Sequence, residues 1–202
     1  MPRITPLEAP YDAETAHLLA RMMPGGAPPI ALFRLLARNR PLAEAANAMG
    51  RHQLSRSLTL GVRDREILID RTTARCGADY EWGVHVAIYA GRAGLTPEQV
   101  TSLVSGASTD ACWSDERDRV LVDAADALHD AADLDDALWA RLTAHLDDAQ
   151  VLDLVVLCGF YHAVSYLARV ARLDPEPGLD PGLDPARTGA LSRSSGPSSA
   201  SA

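Results

Sequence analysis

Two carboxylates and one imidazole, Glu66, Glu81 and His85, flank a single glycine, Gly77. Glu and His are the side chains most used to move protons, and His does so close to neutral pH. Glu81 and His85 are four residues apart and share one helix face. Glu66 precedes Gly77 by eleven residues and His85 follows it by eight. Glycine tolerates positive φ and ends helices, so the spacing predicts two helices folding back at Gly77, with Asp79 capping the second. In such a hairpin Glu66 and His85 differ in height by about three residues, roughly 4.5 Å. The three groups then share one small volume, as proton-transfer chemistry requires. The competing reading of each residue is ordinary: a core histidine bonded to backbone, an exposed i,i+4 pair, and a charged face made by Glu66 with Arg63, Arg65 and Asp70.

Other chemistries find less support. Glu81 and His85 have ligand-like helical spacing, but a first-row metal needs a third and usually a fourth donor. His162 and Glu66 would supply them only by a coincidence of packing, so no metal and no organic cofactor is expected. His17, His52, His129 and His145 have no acidic partner in a motif and read as structural or surface residues. Cys76, Cys112 and Cys158 form neither Cys-x-x-Cys nor a zinc-like spacing. Cys76 is placed either to touch His85 across the turn or to be a buried structural thiol. An odd cysteine count and no signal peptide give the expectation of reduced thiols in a cytoplasmic protein. All nineteen cations are arginines, which excludes lysine Schiff-base catalysis. A net charge of −8 argues against a nucleic-acid surface.

These residues need helices to hold them, and the chain reads as all-α, with no sustained period-two alternation. Helices are expected over Ala13 to Met23, Ile30 to Asn39, and from Pro41 to about Ser55. After the hairpin, Thr96-Pro97-Glu98-Gln99 is a capping box that opens a helix ending near Ser105. Ser114 is expected to cap a helix to about Ala132, followed by Asp135 to Leu146. Asp147 and Gln150 form a second capping box before the longest helix, whose only charge between Val151 and Tyr161 is Asp153. A helix apolar nearly all round is buried on several sides, by its own domain or by another subunit. No run looks long and apolar enough to span a membrane; Leu154 to Ala168 comes nearest. The domain expectation is an N-terminal arm and helix (1–29), a helical domain (30–173) and a disordered Pro/Gly/Ser-rich tail (174–202) carrying a tandem Gly-Leu-Asp-Pro.

The run Arg65-Glu66, then Tyr80-Glu81-Trp82 and His85, then Gly94-Leu95-Thr96-Pro97-Glu98-Gln99, resembles the carboxymuconolactone decarboxylase family, which groups with the alkylhydroperoxidase D-like proteins. The resemblance extends more loosely from Pro41 to Leu173, including Gly159-Phe160-Tyr161. It implies a multi-helix alkylhydroperoxidase D-like bundle around the central hairpin, and a homo-oligomer, a trimer or hexamer. The chain departs from the peroxidase branch, with Ala78 and Glu81 where that branch has Cys-x-x-Cys. For the namesake reaction the resemblance implies His85 as proton donor to a decarboxylating lactone, Glu81 as its orienting partner and Glu66 as a second acid or positioning group. Arg63, Arg65 or Arg75 would bind the substrate carboxylate, and Tyr80 is either a substrate platform or core. The small-molecule substrate is an oxygenated acid or lactone, decarboxylated or isomerised. The rival readings are a non-catalytic oligomeric binding module and a thiol peroxidase resting on Cys76 alone.

Overall fold

The computed structural model of the protein describes residues 1–179, and within them the chain is helical throughout, with no strand. In order come α1 (Ala13–Met22), a single 3₁₀ turn (Pro24–Gly26), α2 (Ala31–Leu36), α3 (Arg40–Gln53), α4 (Val62–Arg75), α5 (Asp79–Ala93), α6 (Pro97–Ser105), α7 (Glu116–Ala131), α8 (Asp136–Thr143) and α9 (Asp148–Ala171). Of the tail expected to be disordered, 174–202, the part beyond residue 179 lies outside the described residues. Within its described part, Glu176 accepts hydrogen bonds from the Tyr80 hydroxyl and the Ala31 backbone N–H, so its first residues are seated against α2 and α5.

Helix α4 is the axis of the molecule. Every residue from Asp64 to Ala74 is buried, and α5, α6, α7 and α9 all pack on it. Its apolar side chains Ile67, Leu68 and Ile69 are fully enclosed, with Trp82, Trp113, Leu121, Leu154 and Leu157 in the same cluster. Each such aliphatic or aromatic burial contributes about 1.5–3 kcal/mol. A second cluster joins α1–α3 to Tyr80, Val84 and Val164.

The turn between α4 and α5 is built as the glycine predicts. Gly77 has φ +62°, its N–H bonds to the Ala74 carbonyl, and the Ala78 N–H bonds to Thr73, the two bonds of a Schellman motif. This geometry uses Ala78 as the N-cap of α5, so Asp79 is the first helical residue and not the cap. Asp79 and Glu81 then lie in the first turn, where the helix dipole favours negative charge. Asp115, not Ser114, caps α7 through the Arg117 N–H. The capping boxes of Thr96 with Gln99 and of Asp147 with Gln150 are both formed.

Charged residues tie α4 to α7 at a constant offset. Arg63 pairs with Asp118 at 2.7 Å, Arg71 with Asp126 at 2.6 Å and Arg75 with Asp130 at 2.5 Å, each pair 55 residues apart. A constant offset means that the two helices run in the same direction.

Helix α9 corrects the expectation that no segment could span a membrane. Its 24 residues are long and apolar enough by length and composition, because the helix runs beyond the apolar stretch counted from sequence. One face of it packs into the protein through Val151, Leu154, Leu157, Cys158, Tyr161, Val164 and Ala168. That pattern is a core helix's. The opposite face is bare: Leu152 is 68% and Tyr166 59% exposed, with Val155, Val156 and Val170 also open. Tyr80 and Trp82 lie inside the chain, while Ile88 is exposed.

Candidate active site

The α4–α5 hairpin brings Glu66, His85 and Glu81 into one chain of contacts. Glu66 projects from α4 toward α5, and its Oε2 lies 2.9 Å from His85 Nδ1. Its Oε1 accepts from Arg65 Nε at 2.6 Å. On the far side of the imidazole, His85 Nε2 is 3.5 Å from Glu81 Oε1. Glu66, Glu81 and His85 are 0%, 5% and 4% exposed, so this network is sealed from water. The second oxygen of Glu81 is buried without a hydrogen-bond partner.

The electrostatics follow from that order. Burial by itself depresses the His85 pKa, but hydrogen bonds to Glu66 and Glu81 and the two carboxylate charges outweigh it, and the group is pushed up to about 10. His85 therefore rests as an imidazolium clamped between carboxylates. Each ring nitrogen of His85, offered with Glu81 as a metal donor, faces a different carboxylate. His162, considered as a third donor there, is elsewhere, 3.0 Å from His129.

The substrate-binding candidates separate. Arg65 belongs to the site: it bonds Glu66 and lies 5.1 Å above the Tyr89 ring. Arg63 does not, because Asp118, Gln99 and the carbonyls of Ala93 and Gly94 occupy its guanidinium. Arg75 is likewise held by Asp126 and Asp130. Tyr80 is 5% exposed, accepting from the Leu32 N–H at 3.0 Å and donating to Glu176; it fastens α2 and the segment after α9 to α5.

Three further residues enclose the site. Tyr89 stands 5.3 Å from the His85 ring and is half-buried, between the imidazole and Arg65. Tyr161 of α9 meets His85 edge-on at 5.0 Å. Asp70 is fully buried on α4, neither oxygen has a hydrogen-bond partner, and burial, with the Glu66 charge, holds its carboxyl well above the usual range. The signal for Asp70 and Tyr89 was present: they follow Glu66 and His85 by four residues and so share their faces. A separate surface hollow of about 430 Å³, lined by Leu7, Asp12, Thr15, Ala37, Arg38, Arg40 and Pro41, contains none of these groups.

No family model matches the chain, and no curated protein matches it. Solved structures do. An uncharacterized peroxidase-related protein from Silicibacter sp. TM1040 superposes with TM-score 0.73 at 20% identity, over 88% of this chain and 94% of that one. The debrominase Bmp8 gives 0.72 at 14% identity, over 94% and 97%. A cysteine-to-alanine variant of Bmp8 in complex with 2,3,4-tribromopyrrole gives 0.73 at 14% identity over the same shares. An Agrobacterium tumefaciens protein of unknown function, related by description to the antioxidant defence protein AhpD, gives 0.62 at 18% identity, over 69% and 93%. The fold is that of the alkylhydroperoxidase D-like proteins, as the sequence resemblance implies.

Proposed function

We propose that the protein is an enzyme of proton-transfer chemistry, decarboxylating or isomerising a small oxygenated acid or lactone. The observation that carries this reading is the ordered chain Arg65–Glu66–His85–Glu81, which ends on a carboxylate oxygen with no partner. The roles differ from those the resemblance implied. Glu66 has both oxygens engaged, by Arg65 and by His85, so it orients the imidazole and balances its charge. Glu81 is the group at the reacting end, and His85 supplies or withdraws the proton behind it. His85 Nε2–H protonates Glu81, and that carboxyl passes the proton to an enol or carbanion-like centre held against it, leaving a neutral imidazole; the reverse sequence abstracts one. The electrons left by carbon dioxide, or by an abstracted proton, reside in the substrate's own carbonyl system.

The thiol-peroxidase reading is not favoured. Burial raises the pKa of Cys76 and pushes Cys158 up to about 12, and it is the thiolate that attacks peroxides. The relatives with peroxidase or debrominase names carry their own chemistry; here Glu81 stands where the peroxidase pattern has a cysteine.

We further propose that the active form is a homo-oligomer built on the bare face of α9. Leu152, Gly159 and Tyr166 recur every seven residues, as do Val156, Ala163 and Val170, and all six are exposed. A seven-residue apolar repeat is the seam of helix-on-helix packing between copies.

The test is solvent isotope exchange. Small lactones, keto acids and unsaturated acids are incubated with the protein in heavy water, and carbon-bound deuterium and released carbon dioxide are followed by NMR and mass spectrometry. A turned-over compound is expected to lose exchange by roughly 10²-fold or more in Glu81→Gln and His85→Gln. Exchange unaffected by both substitutions refutes the assignment.

A further inference from the structure

A second cluster of chemistry-bearing side chains lies outside the Glu66–His85–Glu81 chain. Cys76 at the end of α4, His129 in the last turn of α7 and His162 midway along α9 converge, with one ligand atom of each lying within 4.8 Å of the others. His129 Nδ1 is 3.0 Å from His162 Nε2 and 3.9 Å from Cys76 Sγ. Sequence separations of 53 and 33 residues hid this grouping from any motif.

We propose that Cys76, His129 and His162 bind a borderline-soft divalent metal ion of the zinc class, leaving one coordination position open. Tetrahedral zinc with bonds of about 2.0–2.3 Å holds its donor atoms roughly 3.3–3.8 Å apart, and the observed 3.0 and 3.9 Å straddle that range. The donor set, one thiolate and two imidazoles, suits such an ion better than magnesium or calcium, which take oxygen ligands.

An independent feature points the same way. His162 Nδ1 donates to the Cys158 carbonyl, one helical turn earlier, at 2.8 Å. That bond fixes the tautomer, so Nε2 presents its lone pair to the cluster, the arrangement typical of metal-binding histidines. Neighbouring cations are already engaged: Arg169 donates to the Cys76 carbonyl, and Arg75 is held by Asp126 and Asp130.

Among the described residues no fourth His, Cys or carboxylate joins the group. Structural zinc sites are closed by four protein ligands, whereas three ligands and a water define a site where an outside molecule binds. Cys76 is buried, but both imidazoles are half-exposed, which leaves the ion reachable. Loading displaces the Cys76 thiol proton to solvent and places a water, or a small anion, on the fourth position.

The experiment uses the full chain, reduced and freed of metal, titrated with cobalt(II) and then competed with zinc. The expected result is one ion per chain, with a near-ultraviolet thiolate-to-cobalt charge-transfer band and visible bands of tetrahedral intensity. Cys76→Ser abolishes the charge-transfer band, and His162→Gln weakens zinc binding by roughly 100-fold or more. Circular dichroism melts identify a variant that fails to fold, and the other variant then decides. Azide shifts the visible bands if the fourth position is open; unchanged bands overturn that part. No stoichiometric binding, binding retained in both variants, or binding lost in His85→Gln overturns the proposed site.

Discussion

Replacing Glu66 by Gln tests the electrostatic reasoning most directly. In the folded protein His85 is pushed from 6.5 to about 10. A group whose folded pKa is raised adds stability in full below its unfolded value, and that contribution disappears as pH rises through the folded value. The window is therefore about pH 6.5 to 10. A tenfold change in proton affinity is worth about 1.4 kcal/mol, so between pH 6.5 and 9 the parent protein loses about 3 kcal/mol through His85. For a chain of this size that is a fall in Tm of roughly 6–12 °C. Glu66→Gln removes the strongest partner of the imidazolium, and burial, the larger opposing influence, then draws the His85 pKa down. The variant is less stable at neutral pH by about 3–5 kcal/mol, the cost of leaving Arg65 and His85 without their buried carboxylate. It should also lose at least half of the stability decline between pH 6.5 and 9. Urea unfolding at half-unit pH steps measures both quantities, and NMR of the His85 ring nitrogens reports its titration. Tyr89 and Tyr161 are raised, by burial first and then by nearby carboxylate charge, so they stay protonated in the folded protein across this comparison. Parallel stability curves, or a parent His85 that titrates near 6.5, would falsify the imidazolium clamp.

Asp in place of Val156 or Tyr166 is expected to give a mass near 21.6 kDa by light scattering, with the unsubstituted chain at a multiple of it; a monomeric parent removes the oligomer. Glu176→Ala breaks the contacts to Tyr80 and Ala31 and should lower stability by about 1–3 kcal/mol, while a chain ending at residue 179 should match the full one; equal melting of Glu176→Ala and parent shows that the contact is idle. Arg63→Ala should cost stability without altering KM for a carboxylate substrate, whereas Arg65→Ala should alter kinetics; the opposite pattern would return Arg63 to the site.

The hairpin was legible because each of its determinants is local. Gly77 sets the turn, helical periodicity fixes which residues share a face, and counting residues from the turn places Glu66 opposite His85. The two capping boxes were legible for the same reason. Asp79 misled because a Schellman turn consumes one more residue than a simple glycine stop, which hands the cap to Ala78. The fate of the arginines was not local. Arg63 and Arg75 read like Arg65 in sequence, and only the packing of α7 at a fixed offset commits them to Asp118, Asp126 and Asp130. The order of contacts along Arg65, Glu66, His85 and Glu81 was hidden too, since it depends on which carboxylate Arg65 reaches. Cys76 pointed toward His129 and not His85 because α7 and α9, not α5, close over the end of α4.

The complete enclosure of α4 has a bearing on how the protein breathes. Amide protons from Asp64 to Ala74 lie beneath four other helices, so they exchange with solvent only when the whole bundle opens. Glu66 and Asp70 ride on the slowest-exchanging segment of the chain, and their spacing cannot relax by local fraying. Adaptation to a differently shaped substrate must then come from the layer that can yield without global opening, Tyr89 and the outer turns of α5. Hydrogen exchange followed by mass spectrometry should show that division as two kinetic classes within a single hairpin.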